Sequence, residues 1–176
     1  HVRSRRQRQM CIRDSLFIPM IQELFEAIKS DNLEAVKNIL TAQPHLVNEK
    51  DLRGSTPLLL AAYYGFTEVS EIILQYPQHI DAQDTSGNTA LMGICFKGYL
   101  ELTKLLIENG ANVNIANFNG TTALIFAATY GRKEIVASLL ECGADTSIKD
   151  DKGYTAKDHA EMQGLNEVVS LLETSA

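Results

Sequence analysis

The sequence predicts an all-α solenoid, in which helix–turn–helix pairs with β-turn tips stack in a row. The first observation is a period of 33 residues, at which four residue types recur in register. The second is a helical spacing of apolar residues within the period, as at Ile135, Val136, Leu139 and Leu140, which gives a helix one buried face. Because a pair of short helices cannot bury its apolar face alone, a period of this length favours stacked pairs. The recurring residues are Gly54, Gly87, Gly120 and Gly153; Thr56, Thr89, Thr122 and Thr155; Gly65, Gly98, Gly131 and Gly164; and Glu68, Glu101, Glu134 and Glu167.

Each unit begins with a tight turn and a first helix, as the second unit illustrates. Gly54 can adopt the positive φ of the turn, Thr56 can cap the helix, and Pro57 suits the first helical position. The small pair Ala61–Ala62 lets neighbouring helices approach closely, and Gly65 is expected to end the helix in a left-handed conformation. The second helix then follows and closes at the next turn.

The terminal units differ from the middle ones and are expected to act as caps. In the first unit Ile21, Leu24, Phe25 and Ile28 share one helical face, and polar residues occupy the other, which suits a solvated end of the stack. In the second unit Pro77 predicts that the second helix ends at about Tyr76.

We assign residues 16–176 to a single domain, with repeats at about 18–50 (N-terminal cap), 51–83, 84–116, 117–149 and 150–174 (C-terminal cap).

The motifs at three places resemble the ankyrin repeat family, and the resemblance covers about residues 20 to 174. They are Gly-Ser-Thr-Pro-Leu from Gly54, the pair Ala61–Ala62, and Asn-Gly-Ala-Asn-Val-Asn from Asn109. The sequence departs from the family where histidine usually braces the turn. The resemblance therefore implies slightly looser turns that are held more by packing. The replacing residues are Leu59, Met92, Ile125 and Asp158.

Residues 1–15 do not share the repeating pattern. The string RQRQMCIRDS resembles a translated sequencing-adapter artefact, in which case the natural protein begins near residues 16–20 and its upstream part is lost. The alternatives are a disordered tail and a basic arm for targeting or nucleic-acid binding. The run LFIPMI is too short for the apolar core of a signal peptide.

Charge and composition restrict the classes of partner, and the cellular compartment, that we expect for this chain. The five arginines and one aspartate of residues 1–15 leave 11 Lys and Arg against 21 Asp and Glu in the remainder, a net charge of −10. Such an acidic body repels nucleic-acid phosphates, and no apolar run reaches the about 18 residues of a membrane span, so we expect neither nucleic acid nor membrane as partner. Three cysteines without C-x-x-C spacing indicate a reducing compartment, so we expect a cytoplasmic location; a periplasmic location stays open if the true N-terminus is missing. We also expect a monomer.

The sequence contains no set of residues that indicates catalysis, so we expect no enzyme, cofactor or metal. His45, His79 and His159 fall at unrelated positions of three repeats. Cys95 replaces the second alanine of the small pair and is predicted to be a core residue, whereas Cys142 is predicted to be partly exposed. The recurring Asp and Asn residues are explained by turn formation rather than by calcium binding.

The resemblance implies that the function lies on the concave surface of the stack. In the ankyrin family the second, third and fifth residues of each repeat, and the two before the helix-ending glycine, face the partner. Here these positions hold six of the chain's twelve Tyr and Phe residues, and Arg53 and Lys97 would meet carboxylates of the partner. The alternative is that some rings only seal the contacts between repeats. The predicted partner-binding residues are Arg53, Tyr63, Tyr64, Phe96, Lys97, Phe118, Tyr130 and Tyr154.

We therefore predict a non-enzymatic module that binds another protein. Two alternatives remain. The segment Gly87–Tyr99 is similar to a group of small bacterial ankyrin proteins, some of which are associated with catalase and peroxide resistance, and this resemblance implies an accessory stress protein. The repeats could also be the targeting part of a longer, truncated protein.

Overall fold

A computed structural model of the chain describes residues 20–174, and the predictions made for residues 1–15 lie outside this range. Within it the secondary structure is helical, apart from one isolated antiparallel bridge between Ala116 and Thr122. The predicted all-α repeat solenoid is confirmed. The helices are α1 (20–29), α2 (Leu33–Ala42), α3 (Pro57–Tyr64), α4 (Thr67–Leu74), α5 (Ala90–Lys97), α6 (Leu100–Glu108), α7 (Ala123–Thr129), α8 (Lys133–Glu141), α9 (Ala156–Met162) and α10 (Asn166–Thr174), with a 3₁₀ helix at Pro44–Asn48 between α2 and α3.

The helices form two layers, because each odd-numbered helix pairs with the even-numbered helix that follows it. In the inner layer α3 packs on α5, α5 on α7, and α7 on α9. In the outer layer α2 contacts α4, α6 contacts α8, and α8 contacts α10. One continuous core of buried residues runs between the layers from Leu24 to Leu172. The chain is therefore a row of stacked units rather than a set of helices around one centre.

The first helices begin and end as the sequence predicts. Each recurring threonine is the N-cap of its helix, and its Oγ1 accepts a hydrogen bond from the backbone N–H three residues on, at 3.3 Å in all four units. Pro57 is the first residue of α3, and Gly65 ends that helix with a φ of 80°. α4 ends at Leu74, two residues before the predicted limit of Tyr76.

The turns are held by hydrogen bonds, which corrects the expectation that packing replaces the missing histidines. In the last four repeats the Oδ1 atom of the Asp or Asn that starts the repeat accepts two backbone N–H groups, as Asp84 does from Ser86 (2.8 Å) and Asn88 (2.9 Å). Adjacent tips are also bonded, since Phe118 N donates to Ser86 O at 3.2 Å. The same bracing occurs at Asp51, Asn117 and Asp150.

Asp158 also has a defined role at the position where the family prefers histidine. Its Oδ2 accepts hydrogen bonds from the backbone N and the Oγ1 of Thr155, both at 2.7 Å, while its own N–H donates to Thr155 Oγ1. These bonds hold the pKa of Asp158 below its usual value, the backbone N–H of Thr155 contributing most. The start of α9 is thus fixed by a reciprocal capping box.

The helix-ending glycines also set how closely consecutive units approach. A Cβ at Gly65 would lie 2.7 Å from Tyr99 Cζ, and one at Gly131 would lie 3.2 Å from Leu165 Cδ2. In both cases the neighbour belongs to the next repeat and precedes its second helix. These glycines are therefore required by inter-repeat packing as well as by the backbone conformation.

Candidate functional site

The large apolar side chains that remain exposed within residues 20–174 lie at the turn tips and at the ends of the first helices. Phe118 is the most exposed of the predicted aromatic residues at 68%, and four tyrosines have between 41% and 49% of their surface exposed. Met162 was absent from the predicted site. It lies three 33-residue periods after Tyr63, so the repeat pattern places it at an equivalent position and could have identified it. The full set is Leu52, Tyr63, Tyr64, Phe118, Tyr130, Tyr154 and Met162.

The structure brings four of the predicted residues together across three repeats. The Phe96 ring meets the Tyr130 ring edge to face, with centroids 4.6 Å apart. Lys97 Nζ lies over the Tyr63 ring, 4.6 Å from its centroid. Phe126 joins the group through Phe96 at 6.3 Å and was missed, because it lies mid-helix rather than at a predicted partner-facing position. We call Tyr63, Phe96, Lys97, Phe126 and Tyr130 the aromatic cluster.

The other predicted residues lie on the same surface but outside the aromatic cluster. Tyr64 stacks on Phe66 at 5.5 Å, and Tyr154 meets the His159 ring edge to face at 5.9 Å. Phe118 covers Gly87, where a Cβ would lie 2.6 Å from its Cδ1. Arg53 is exposed at a turn tip. Tyr64, Phe118 and Tyr154 thus each contact a neighbouring residue and keep between 41% and 68% of their surface exposed.

The outer helices carry more negative charge than the inner helices α3, α5 and α7. The outer helices α4, α6, α8 and α10 carry two glutamates each, whereas α3, α5 and α7 contain no acidic residue. Lys97 is the only charged residue of those three inner helices. The inner helices that carry the aromatic cluster are therefore free of acidic residues, although the turn tips beside the cluster carry Asp84, Asp150 and Asp151. The outer glutamates are Glu68, Glu71, Glu101, Glu108, Glu134, Glu141, Glu167 and Glu173.

Comparison with known proteins decides the family. The family model described as "Ankyrin repeats (3 copies)" matches residues 24–117 and 93–175. The chain belongs to the ankyrin repeat family. A search of the curated proteins finds no match to it. Ankyrin repeats generally act as protein–protein interaction modules. Separately, no helix within residues 20–174 has the length and apolar character needed to cross a membrane.

The cysteines of the ankyrin stack lie where the sequence predicts. Cys95 is fully buried, and this burial raises the pKa of its thiol to about 12, outweighing a hydrogen bond with Thr103. It is a small core residue without thiolate character. Cys142 is exposed after the end of α8.

The histidines of the repeats do not converge. His159 Nε2 lies 2.8 Å from Asp150 Oδ2, and this pair braces the last turn of the stack. Burial would raise the pKa of Asp150, but hydrogen bonds from Tyr154 N, His159 and Lys152 N outweigh it and hold the pKa below its usual value. Within residues 20–174 no group of three or more His, Cys, Asp or Glu side chains is arranged to hold a metal ion.

Proposed function

We propose that this ankyrin repeat protein is a non-enzymatic module that recognises a partner protein through the inner surface of its stack. The observation that supports the proposal most is the distribution of exposed apolar side chains. All seven exposed large ones among residues 20–174 lie at tips or first-helix ends of the inner layer. Aromatic side chains supply large contact area at a low cost in conformational entropy and are enriched at binding hot spots.

Two further features favour the inner surface over the outer one. The outer helices expose two glutamates each, and interface centres are depleted in charged residues. The inner residues are also held in place, because Phe96 and Tyr130 support each other and the tips are bonded to one another. A surface that is already ordered loses little entropy when a partner binds.

A crosslinking pull-down from an extract of the source organism, with the purified protein as bait, tests the proposal. The double variant Tyr64→Ala/Tyr130→Ala removes two half-exposed rings from the inner surface, so its helical circular dichroism should persist. Its matched control is Glu71→Ala/Glu108→Ala, which removes two exposed residues from the outer helices. Proteins captured by the wild type and by the control should be lost with the aromatic variant. Equal capture by all three proteins would refute the inner surface as the binding site.

The two alternatives from the sequence use the same surface. An accessory stress protein and the targeting part of a longer protein would both act by binding a partner, so loss of capture by the aromatic variant does not choose between them. The identity of the captured protein distinguishes them: a catalase or peroxide-response protein supports the first.

A further inference from the structure

Gly93, in the middle of α5, has no structural reason to be glycine. It is the one glycine of the eleven whose φ lies outside the left-handed region. A Cβ built on it would meet no heavy atom within 4 Å. The equivalent positions of the neighbouring repeats hold Leu60 and Phe126. Because glycine destabilises a helix interior relative to alanine, the residue leaves open space on the inner surface at a cost to α5.

The space above Gly93 is an apolar pocket of about 260 Å³ inside the aromatic cluster. An apolar cavity of about 150 Å³ is large enough to hold benzene. The pocket can therefore take one ring or one branched aliphatic side chain. Its apolar walls come from three consecutive repeats and are formed by Leu59, Tyr63, Met92, Phe96 and Phe126.

Two cations, Lys97 and Arg53, lie beside the pocket, whereas the charged residue among those that line it is Asp84. Neither Lys97 nor Arg53 takes part in an ion pair within residues 20–174. Lys97 Nζ lies over the rings of Tyr63 and Phe96, which line the pocket. The carboxylate of Asp84 accepts hydrogen bonds at both oxygens, from two backbone N–H groups of its own turn at Oδ1 and from Asn88 Nδ2 at Oδ2.

Arg53 lies close enough to act with the same ligand. It lines an adjoining depression of about 560 Å³, which shares Leu59, Tyr63 and Asp84 with the pocket. The other charged residues of this depression are Lys29, which pairs with Glu26, and Asp51. Because the two depressions share lining residues and an extended chain advances about 3.3 Å per residue, one extended peptide that lies along the stack can enter both. The glutamates of the outer helices lie on the opposite layer, and the nearer carboxylates of Asp51 and Asp84 each accept two backbone N–H groups of their own turns at Oδ1.

We propose that the Gly93 pocket receives one bulky apolar side chain from an extended, acidic segment of the partner, whose flanking carboxylates meet Lys97 and Arg53. This inference rests on the proposed function, because it specifies the partner for the same inner surface. The apolar side chain supplies contact area, and the carboxylates on either side fix the register of the segment along the repeats.

The test is selection from a phage-displayed library of random dodecapeptides on the immobilised wild-type protein, followed by fluorescence anisotropy with the synthetic form of the strongest peptide. Gly93→Leu fills the pocket with the residue found at position 60, whereas Gly93→Ala improves the helix and leaves the pocket largely open. Lys97→Glu reverses the rim charge. Lys104→Glu makes the same charge change on the outer helix α6 and is the matched control.

The selected peptides should share one Phe, Leu or similar residue next to Asp or Glu. Gly93→Leu should weaken binding at least about tenfold, or 1.4 kcal/mol, and Gly93→Ala less than about threefold. Lys97→Glu should weaken binding about three- to tenfold and Lys104→Glu less than about twofold. If Gly93→Leu fails to fold, replacing the apolar residue of the peptide by alanine must cost the same tenfold with the wild-type protein.

Three outcomes overturn the proposal. If Gly93→Leu binds the peptides as the wild type does while Tyr64→Ala/Tyr130→Ala does not, the pocket is not used and the proposed inner surface stands. If no inner-surface variant affects binding, both proposals fail. If selection yields no peptide, or only basic ones, the acidic segment is refuted, while the crosslinking experiment decides the proposed function separately.

Discussion

Replacing Gly65 by alanine tests the packing between consecutive repeats. Gly65 has a φ of +80°, which costs a non-glycine residue roughly 1–2 kcal/mol. The added Cβ would also lie 2.7 Å and 2.8 Å from two carbons of the Tyr99 ring, so the ring must move. Overpacking of this kind costs about 1–3 kcal/mol. The free energy of unfolding should therefore fall by about 2–5 kcal/mol in Gly65→Ala.

Gly110 supplies the matched control, because it has a φ of +89° and no heavy atom within 4 Å of a built Cβ. Gly110→Ala should lose only the conformational part, about 1–2 kcal/mol. Urea unfolding followed by circular dichroism at 222 nm measures both values. In the Gly65→Ala/Tyr99→Ala double variant the ring that the new Cβ would meet is absent. The coupling free energy between the two substitutions in the double-mutant cycle should therefore be at least about 1 kcal/mol. Equal losses at the two glycines, or strict additivity with Tyr99→Ala, would refute the inferred contact.

Three further predictions concern single side chains. Arg132 has a buried Nε without a hydrogen-bond partner and occupies the position of Leu165 in the next repeat, so Arg132→Leu should raise the free energy of unfolding by about 1 kcal/mol in urea titrations. Iodoacetamide should alkylate Cys142 but not the buried Cys95 in the native protein, as read by peptide mass spectrometry; modification of both at equal rates would contradict the core position. The pKa of Asp150 in the folded protein lies below its ordinary value of 3.8. The ionised carboxylate therefore contributes fully to the free energy of unfolding above pH 3.8, and this contribution is lost as the pH falls through the folded-state pKa. Between about pH 5 and pH 2.5 the urea concentration at the unfolding midpoint should thus fall less in Asp150→Asn than in the wild type. An equal fall in the two proteins would contradict the prediction.

The fold could be predicted because its determinants are local and repeat in the sequence. Thr56 and Gly65 act within one helix, and their recurrence every 33 residues identifies the unit and its stacking. The burial of Cys95 followed from its register with an alanine. The bracing of the turns was predicted less well. Asp84 was expected to favour a turn, but the two N–H groups that its Oδ1 accepts become evident only from the folded loop.

The aromatic cluster could be predicted only in part, because its contacts join different repeats. The positions of Phe96 and Tyr130 followed from the repeat register, but their contact depends on how closely α5 and α7 approach. Phe126 lies outside the expected partner-facing positions. The pocket was not predicted at all, since a helical glycine indicates lower propensity and nothing in the sequence places walls from two other repeats around it.

The most direct test of the central claim is the set of backbone amides whose NMR signals move when a partner peptide binds. With ¹⁵N-labelled protein and a peptide selected as above, the inner-surface account predicts perturbations confined to α3, α5, α7 and the turn tips, largest around Gly93 and Lys97. Perturbations centred on the outer helices α4, α6 and α8, with the inner layer unchanged, would contradict it.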